Sequence, residues 1–169
     1  MDSESINSVH DINIEAKKIL LRTANLLAST DVWFRGSSFK KSSNTTCLMC
    51  AHGAISYCSD SIIKTLIDHG QINLAKNRLI ANHFSSHYPD TRLLDLLTAS
   101  NRNKIPAAVW NSAWAMAHFK AFKVGLDFAF NDDPATTKTK VISKLKQAAC
   151  SRYNFKNESL SVPSSPHRS

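Results

Sequence analysis

The chain has 169 residues, 43% hydrophobic and 20% charged, so it can bury a core without help from a metal or a disulfide. This composition excludes a disordered or fibrous protein, and four glycines with five prolines supply too few sharp turns for an all-β fold. The formal net charge of +8 predicts a basic surface, for which an anionic partner is one explanation.

The first residues are acidic and polar, whereas a secretory leader is basic and then apolar. No run approaches the roughly eighteen apolar residues that a membrane span needs. We therefore expect a cytoplasmic protein that does not enter a membrane. In that compartment reduced thiols are expected rather than two disulfides for the four cysteines, which are Cys47, Cys50, Cys58 and Cys150.

Apolar residues recur at helical spacing from Ile12 to Leu27, which predicts a first helix after a disordered stretch of residues 1–10. The next segment, 31–46, is rich in turn-forming residues and is expected to be a loop with a short extended piece.

A second helix is predicted to begin at Thr46 and to run to Cys58, with Gly53 inside it. Glycine costs a helix interior about 1 kcal/mol relative to alanine. Gly53 therefore indicates that another backbone passes close to this helix.

Three helices are predicted next. The first is capped by Asp60 or Ser61 and ended by Gly70, the second covers residues 72–84, and the third covers residues 91–99.

The most apolar run, 107–124, follows Pro106 and predicts a central helix that Gly125 ends. Alternating apolar residues at 126–130 predict a short strand, and a last helix is expected at 138–150.

These elements predict a mainly α fold of about six to seven helices, with one short strand or hairpin. Residues 11–150 form the single domain, and the basic, Ser- and Pro-rich residues 151–169 form a disordered tail. The predicted core includes Trp110, Trp114, Phe122, Ile19, Leu27, Ile55, Leu66 and Leu79.

Three segments carry recognisable motifs. Residues 50–55 read Cys-Ala-His-Gly-Ala-Ile, residues 33–36 read Trp-Phe-Arg-Gly, and residues 130–137 read Phe-Asn-Asp-Asp-Pro-Ala-Thr-Thr, followed by Val141. They resemble a family of small bacterial and phage proteins classified as a domain of unknown function. Phe130 stands where that family usually has tryptophan, and Lys140 where an acidic residue is common. The resemblance spans about residues 15–150, leaves 71–104 without a motif, and implies no chemistry.

Two interpretations compete for Cys50. A thiol near a helix start can have a lowered pKa, and His52 and Asn131 would complete a Cys-His-Asn arrangement for nucleophilic catalysis, in which Asp132 is a further candidate. The alternative is a small buried side chain at a close helix contact. We favour the second, because His52 lies about 200° around the helix from Cys50.

The spacings of Cys47 and Cys50 and of His83 and His87 match the two halves of a Cys2His2 zinc site. The segment between the two halves is about 32 residues, where a dozen or so is usual. A domain of this size also folds without zinc. We therefore expect no metal and no cofactor.

The run from Asn131 to Pro134 contains clustered carboxylates that can bind a cation. Asn and Asp also bond their own backbone in turns, and proline fixes φ. A turn that organises the entry to the last helix explains Asn131 and Asp132 more simply.

A segment without acidic residues runs from 135 to 156 and carries five candidate contacts for nucleic acid or another polyanion, which are Lys138, Lys140, Lys144, Lys146 and Arg152. A solvated helix face explains the same run.

The sequence thus favours a non-enzymatic binding or regulatory protein with a protein partner, related to phage proteins by resemblance. A basic nucleic-acid-binding protein is the second hypothesis, and a small thiol or metal enzyme is the third. The oligomeric state does not follow from the sequence.

Overall fold

The computed structural model describes residues 2–44, 46–83 and 113–151, with side chains from residue 12 onward and to residue 81 in the second range. These ranges contain seven helices and one two-stranded antiparallel sheet, which confirms the predicted mainly α fold. The helices are α1 (Asp2–Ser29), α2 (Ala51–Ser59), α3 (Ser61–Asp68), α4 (Ile72–His83), α5 (Ala113–Lys123), α6 (Phe128–Asp132) and α7 (Lys138–Cys150), and the strands are β1 (Phe39–Lys41) and β2 (Cys47–Met49).

The core lies where α1, α5 and α7 pack on one another, with α2 against α1 and α5. Helix α1 presents a buried stripe that runs from Ala16 to Leu27, and α7 presents Val141 and Leu145. Every residue of α5 from Ala115 to Phe122 is buried, as expected of the central helix.

The predicted core is largely confirmed. Phe122, Ile19, Leu27, Ile55 and Leu79 are buried, whereas Trp114 and Leu66 are half-buried and pack against the core. Trp110 lies outside the described residues, as do the predicted helix 91–99, Arg152 and the rest of the tail.

The N-terminal helix is longer than the sequence pattern predicted. Its apolar stripe begins at Ile12, but α1 starts at Asp2. The apolar periodicity marks only part of the helix, because helical hydrogen bonding does not require an apolar stripe.

Two local predictions were wrong. Residues 47–49 form β2, which pairs with β1 in the register Phe39 with Met49, so α2 begins at Ala51 and not at Thr46. The short strand predicted at 126–130 is absent, and residues 128–132 form α6, because the Asp127 carboxylate accepts the Phe130 backbone N–H and caps the helix.

Glycines end α3 and α5 as predicted. Gly70 and Gly125 have φ values of 77° and 90°, which few other residues adopt. After α3, the N–H of Gln71 donates to the Leu66 carbonyl and that of Gly70 to the Ile67 carbonyl. This pair of bonds is the Schellman motif, and residues 121–126 repeat it at the end of α5.

Gly53 marks a close approach of two backbones, as predicted. A Cβ at this position would overlap the carbonyl oxygen of Ser38 and lie 3.0 Å from its carbonyl carbon. Ser38 itself has a φ of 54°, an uncommon conformation for serine. The loop before β1 therefore presses its backbone against the first turn of α2.

Gly53→Ala tests this contact. In an unobstructed helix the change gains about 1 kcal/mol. Here a methyl group meets a backbone carbonyl that cannot rotate away, so we expect the free energy of unfolding in urea to fall by about 1–3 kcal/mol. Stabilisation would contradict the close approach. Gly70→Ala is the control, because its Cβ meets nothing within 4 Å and only the positive φ opposes it.

Candidate functional site

The three motif segments meet at the side chain of Asn131, which is fully buried. Its Oδ1 accepts the indole N–H of Trp33 at 2.7 Å and the backbone N–H of Ala51 at 3.0 Å. Its Nδ2 donates to the Phe34 carbonyl at 3.3 Å and to the Asp132 carboxylate at 3.0 Å. The amide thus uses its two acceptor positions and both N–H groups within the chain.

Cys50 is the N-cap of α2, a position where serine, threonine, aspartate or asparagine is usual. Its Sγ accepts the backbone N–H of Gly53 at 3.3 Å and that of Ser38 at 3.2 Å. The Cys50 backbone N–H in turn donates to the Ser38 carbonyl at 3.0 Å. The cysteine therefore joins the loop before β1 to the first turn of α2.

Two effects oppose each other at the Cys50 thiol. The N–H groups of Gly53, Ser38 and His52 favour a thiolate and lower the pKa. Burial is the larger effect, since only 1% of the residue is exposed, and it raises the pKa above its usual value. The nearby Asp132 charge raises it further. Cys50 is therefore a neutral thiol at neutral pH, in contrast to the activated nucleophile of the catalytic hypothesis.

The ring of His52 turns away from Cys50. Its Nδ1 lies 3.2 Å from Nδ1 of His118 on α5, and Nε2 of His118 lies 3.5 Å from the Ser56 hydroxyl. That hydroxyl also accepts the Trp114 indole N–H at 3.2 Å. His52 thus belongs to a buried chain of polar groups between α2 and α5, which weighs against the Cys-His-Asn hypothesis.

Only one proton fits between the two facing Nδ1 atoms of His52 and His118, so one ring donates and the other accepts. The rings are close to parallel, 17° apart, and His52 also stacks on Phe122 with centroids 4.6 Å apart. This packing between aromatic rings fixes the orientation of both histidines, and it supports a structural role for the pair.

Arg35 holds the connection between α6 and α7. Its guanidinium donates to the backbone carbonyls of Asp133, Pro134 and Thr136, the last at 2.6 Å, and lies 5.2 Å from the Trp33 ring centroid. A planar guanidinium with five N–H groups can serve several carbonyls at once. Trp33 and Arg35, two residues of the Trp-Phe-Arg-Gly segment, therefore bind the 130–137 segment at two points.

The polar side chains of the 130–137 segment form hydrogen bonds mainly within the turn that leads into α7. Asp133 accepts the Ala135 backbone N–H at 2.8 Å, and the Thr137 hydroxyl accepts the Lys140 N–H as the N-cap of α7. Asp132 is exposed and accepts from Asn131. Asn131 reaches farther than the predicted turn, since it also organises α2 and the loop 33–36.

The geometry of the described residues does not support the zinc hypothesis. Within the described residues no three histidine, cysteine or acidic side chains lie close enough to hold a metal ion. The Cys50 thiol is engaged with backbone N–H groups, and burial raises the pKa of Cys47. His83 ends α4 without a described side chain, and His87 lies outside the described residues.

The α7 lysines are dispersed around the helix. Lys138 donates to the Thr30 carbonyl at 3.2 Å and pairs with Asp31, and Lys144 donates to the Val124 carbonyl at 2.8 Å. Lys140 donates to the Ala135 carbonyl at 3.1 Å, and Lys146 is exposed. Two of these amines thus satisfy carbonyls just beyond the C-termini of α1 and α5, where a cation is favourable.

A comparison with protein families matches residues 12–150 to a family of unknown function, DUF6197. The chain belongs to this family. The matched range contains all three motif segments, and the family description names no activity. No curated protein and no solved structure matches the chain.

Sequence reasoning missed several members of the site in this DUF6197 protein. Trp33 and Arg35 stood in a motif segment, but nothing assigned them a contact with residues 131–136. Ser56 and His118 carried no motif at all and become partners only through the packing of α2 on α5. For the His52 and His118 pair, the available signal in the sequence was a histidine within a largely apolar helix.

Asn131→Ala should destabilise the protein strongly. It leaves the Ala51 N–H and the Trp33 indole N–H without their acceptor in a buried site, at a cost of about 1–3 kcal/mol for each such group. Asp132→Ala removes one exposed acceptor and leaves a single Asn131 N–H without its partner, so it should cost less than the loss of two buried bonds in Asn131→Ala. Urea unfolding of both variants measures the difference. An equal or larger loss for Asp132→Ala would contradict the central position of Asn131.

Cys50 should resist alkylation in the folded protein. We expect iodoacetamide at pH 7.5 to modify the exposed Cys150 first, because Cys50 is buried and burial raises its pKa. Mass spectrometry of digested samples over time gives the order, and urea-unfolded protein gives the control rates. Modification of Cys50 as fast as Cys150 would restore the thiol-enzyme hypothesis.

Proposed function

We propose that this DUF6197 protein is a non-enzymatic binding or regulatory protein that acts on a protein partner in the cytoplasm. One observation carries the proposal: the thiol, amide and imidazole groups of its motif segments are buried and bonded within the chain. Asn131 uses its whole hydrogen-bonding capacity there, and Cys50 is a buried neutral thiol that caps a helix. The motifs thus support a folding role, and the function is expected on the outer surface.

Large apolar side chains on that surface support a protein partner. Leu74 and Ile80 on α4 are 51% and 49% exposed, and Ile14 and Leu21 lie seven residues apart on one face of α1. A single exposed leucine is ordinary, but pairs on a shared helix face are what a partner can cover.

Nucleic-acid binding through α7 receives less support. A continuous row of free lysines would favour it, whereas Lys138, Lys140 and Lys144 donate to carbonyls of the chain itself. We retain a bacterial or phage-related setting as part of the proposal, on the motif resemblance alone.

No helix within the three described ranges has the length and apolar character needed to cross a membrane.

Affinity capture with paired surface variants tests the proposal. The baits are the wild-type protein, Ile14→Gln/Leu21→Gln and Leu74→Gln/Ile80→Gln, each exposed to extract of the source organism with and without nuclease treatment. We expect at least one protein that the wild type captures saturably to be reduced tenfold or more by one variant pair and retained by the other.

Thermal unfolding of each bait provides the control, because exposed substitutions should leave the melting temperature nearly unchanged. Capture that neither pair changes would contradict a protein partner on these faces. Capture that disappears after nuclease treatment would favour the nucleic-acid hypothesis.

A further inference from the structure

The outward face of α4 combines exposed apolar side chains with neutral polar ones. At about 100° per residue, five residues fall within an arc of about 120°. They are Asn73, Leu74, Asn77, Ile80 and Ala81, and all are exposed. Leu74 and Ile80 lie at the two edges of this arc, about 9 Å apart along the helix axis. That distance is close to the separation of two apolar residues seven positions apart on a partner helix. The opposite side of α4 carries Ala75 and Leu79 into the core.

Lysines border this face on the side of Ile80. Lys76 lies about 40° beyond Ile80 around α4, toward the sheet, and β1 packs against α4. Cys47 lies close to both lysines: it pairs with Lys41 across the sheet, and the nearby Lys76 charge acts to lower the pKa of its thiol against the larger effect of burial. Lys40 and Lys41 are both exposed on β1, but successive strand residues point to opposite faces, so only Lys41 shares the face of Cys47.

The segments that carry these lysines contain no acidic residues. No acidic residue occurs between Asp31 and Asp60 or between Asp68 and Asp90, so the hairpin and α4 contain none. Among the described residues, Lys40, Lys41 and Lys76 form no ion pair. On the other side of the face, Arg78 is already paired with Asp60 at 2.9 Å.

We infer that the α4 face, defined as Leu74, Asn77 and Ile80 with the bordering Lys41 and Lys76, docks an acidic amphipathic helix of a partner protein. This inference rests on the proposed function and specifies its surface and partner. The partner helix would place apolar residues on Leu74 and Ile80 and carboxylates beside the lysines. A second copy of this face would bring lysine against lysine, and a nucleic acid would leave the two apolar anchors unused.

A designed helical peptide tests the inference on the full chain. The probe is a fluorescent 15-residue peptide with leucines at i, i+3, i+4 and i+7 on one face and glutamates elsewhere, and a second peptide replaces glutamate by lysine. We expect the acidic peptide to bind at least tenfold more tightly by fluorescence anisotropy. Amide NMR shifts should change in α4 and β1.

Two variants and two matched controls locate the site. Leu74→Gln/Ile80→Gln should weaken binding of the acidic peptide at least tenfold, and Lys41→Gln/Lys76→Gln should weaken it and flatten its salt dependence. Ile14→Gln/Leu21→Gln and Lys140→Gln/Lys146→Gln should leave the Kd unchanged, because they remove the same types of side chain from other faces.

Several results would overturn the inference. They are equal binding of the acidic and basic peptides, shifts confined to α1, tighter binding of duplex DNA through Lys41 and Lys76, or dimerisation of the free chain that the Leu74 and Ile80 changes abolish. If the captured partner depends on Ile14 and Leu21 instead, this inference fails while the proposed function stands. If no captured protein depends on either pair, the proposed function itself fails.

Discussion

The first turn of α2 is buried, and its backbone N–H groups need acceptors that the helix cannot supply. The first N–H groups of any helix lack intrahelical partners, and water does not reach Ala51 or Gly53. The acceptors are Oδ1 of Asn131 and Sγ of Cys50. Satisfying this one helix end therefore requires a local residue, Cys50, and a residue 80 positions from Ala51, Asn131, to meet at the same place.

Much of the surrounding structure follows from that requirement. Sγ of Cys50 has room for a second donor, and the loop before β1 provides the Ser38 N–H, with Ser38 at a positive φ. The resulting approach leaves no space for a side chain at position 53. The side-chain amide of Asn131 donates to the Phe34 carbonyl. The guanidinium of Arg35, the next residue, donates to a backbone carbonyl of the turn that leads into α7. The three motif segments are thus joined by one connected set of hydrogen bonds.

Local physics made much of the fold predictable. Asp60 caps α3, and Gly70 and Gly125 end their helices, because these effects depend on a few neighbouring residues. Gly53 reported a close contact even though the contacting residue could not be identified from the sequence. The strand at 47–49 was missed because three apolar residues do not distinguish a strand from a helix, and its partner is set by the hairpin.

The candidate site was less predictable, since its bonds join residues far apart in the chain. Trp33 and Asn131 are 98 positions apart, Ala51 and Asn131 are 80 apart, and His52 and His118 are 66 apart. The motif identified some of these residues as members of a site without giving their partners. A cysteine, a histidine and an asparagine suggested catalysis by type, whereas burial and hydrogen-bond direction indicate a structural role.

The distribution of positive charge separates two uses of lysine in this protein. On α7, Lys138 and Lys144 donate to carbonyls beyond the ends of α1 and α5, so they stabilise helix termini that would otherwise lack donors. That role explains a lysine-rich helix without an external polyanion. The hairpin and α4 lysines have no comparable carbonyl or carboxylate partner among the described residues, so their charge stays available at long range. An excess of positive charge beside exposed apolar residues attracts an acidic partner first and lets apolar contact hold it afterwards.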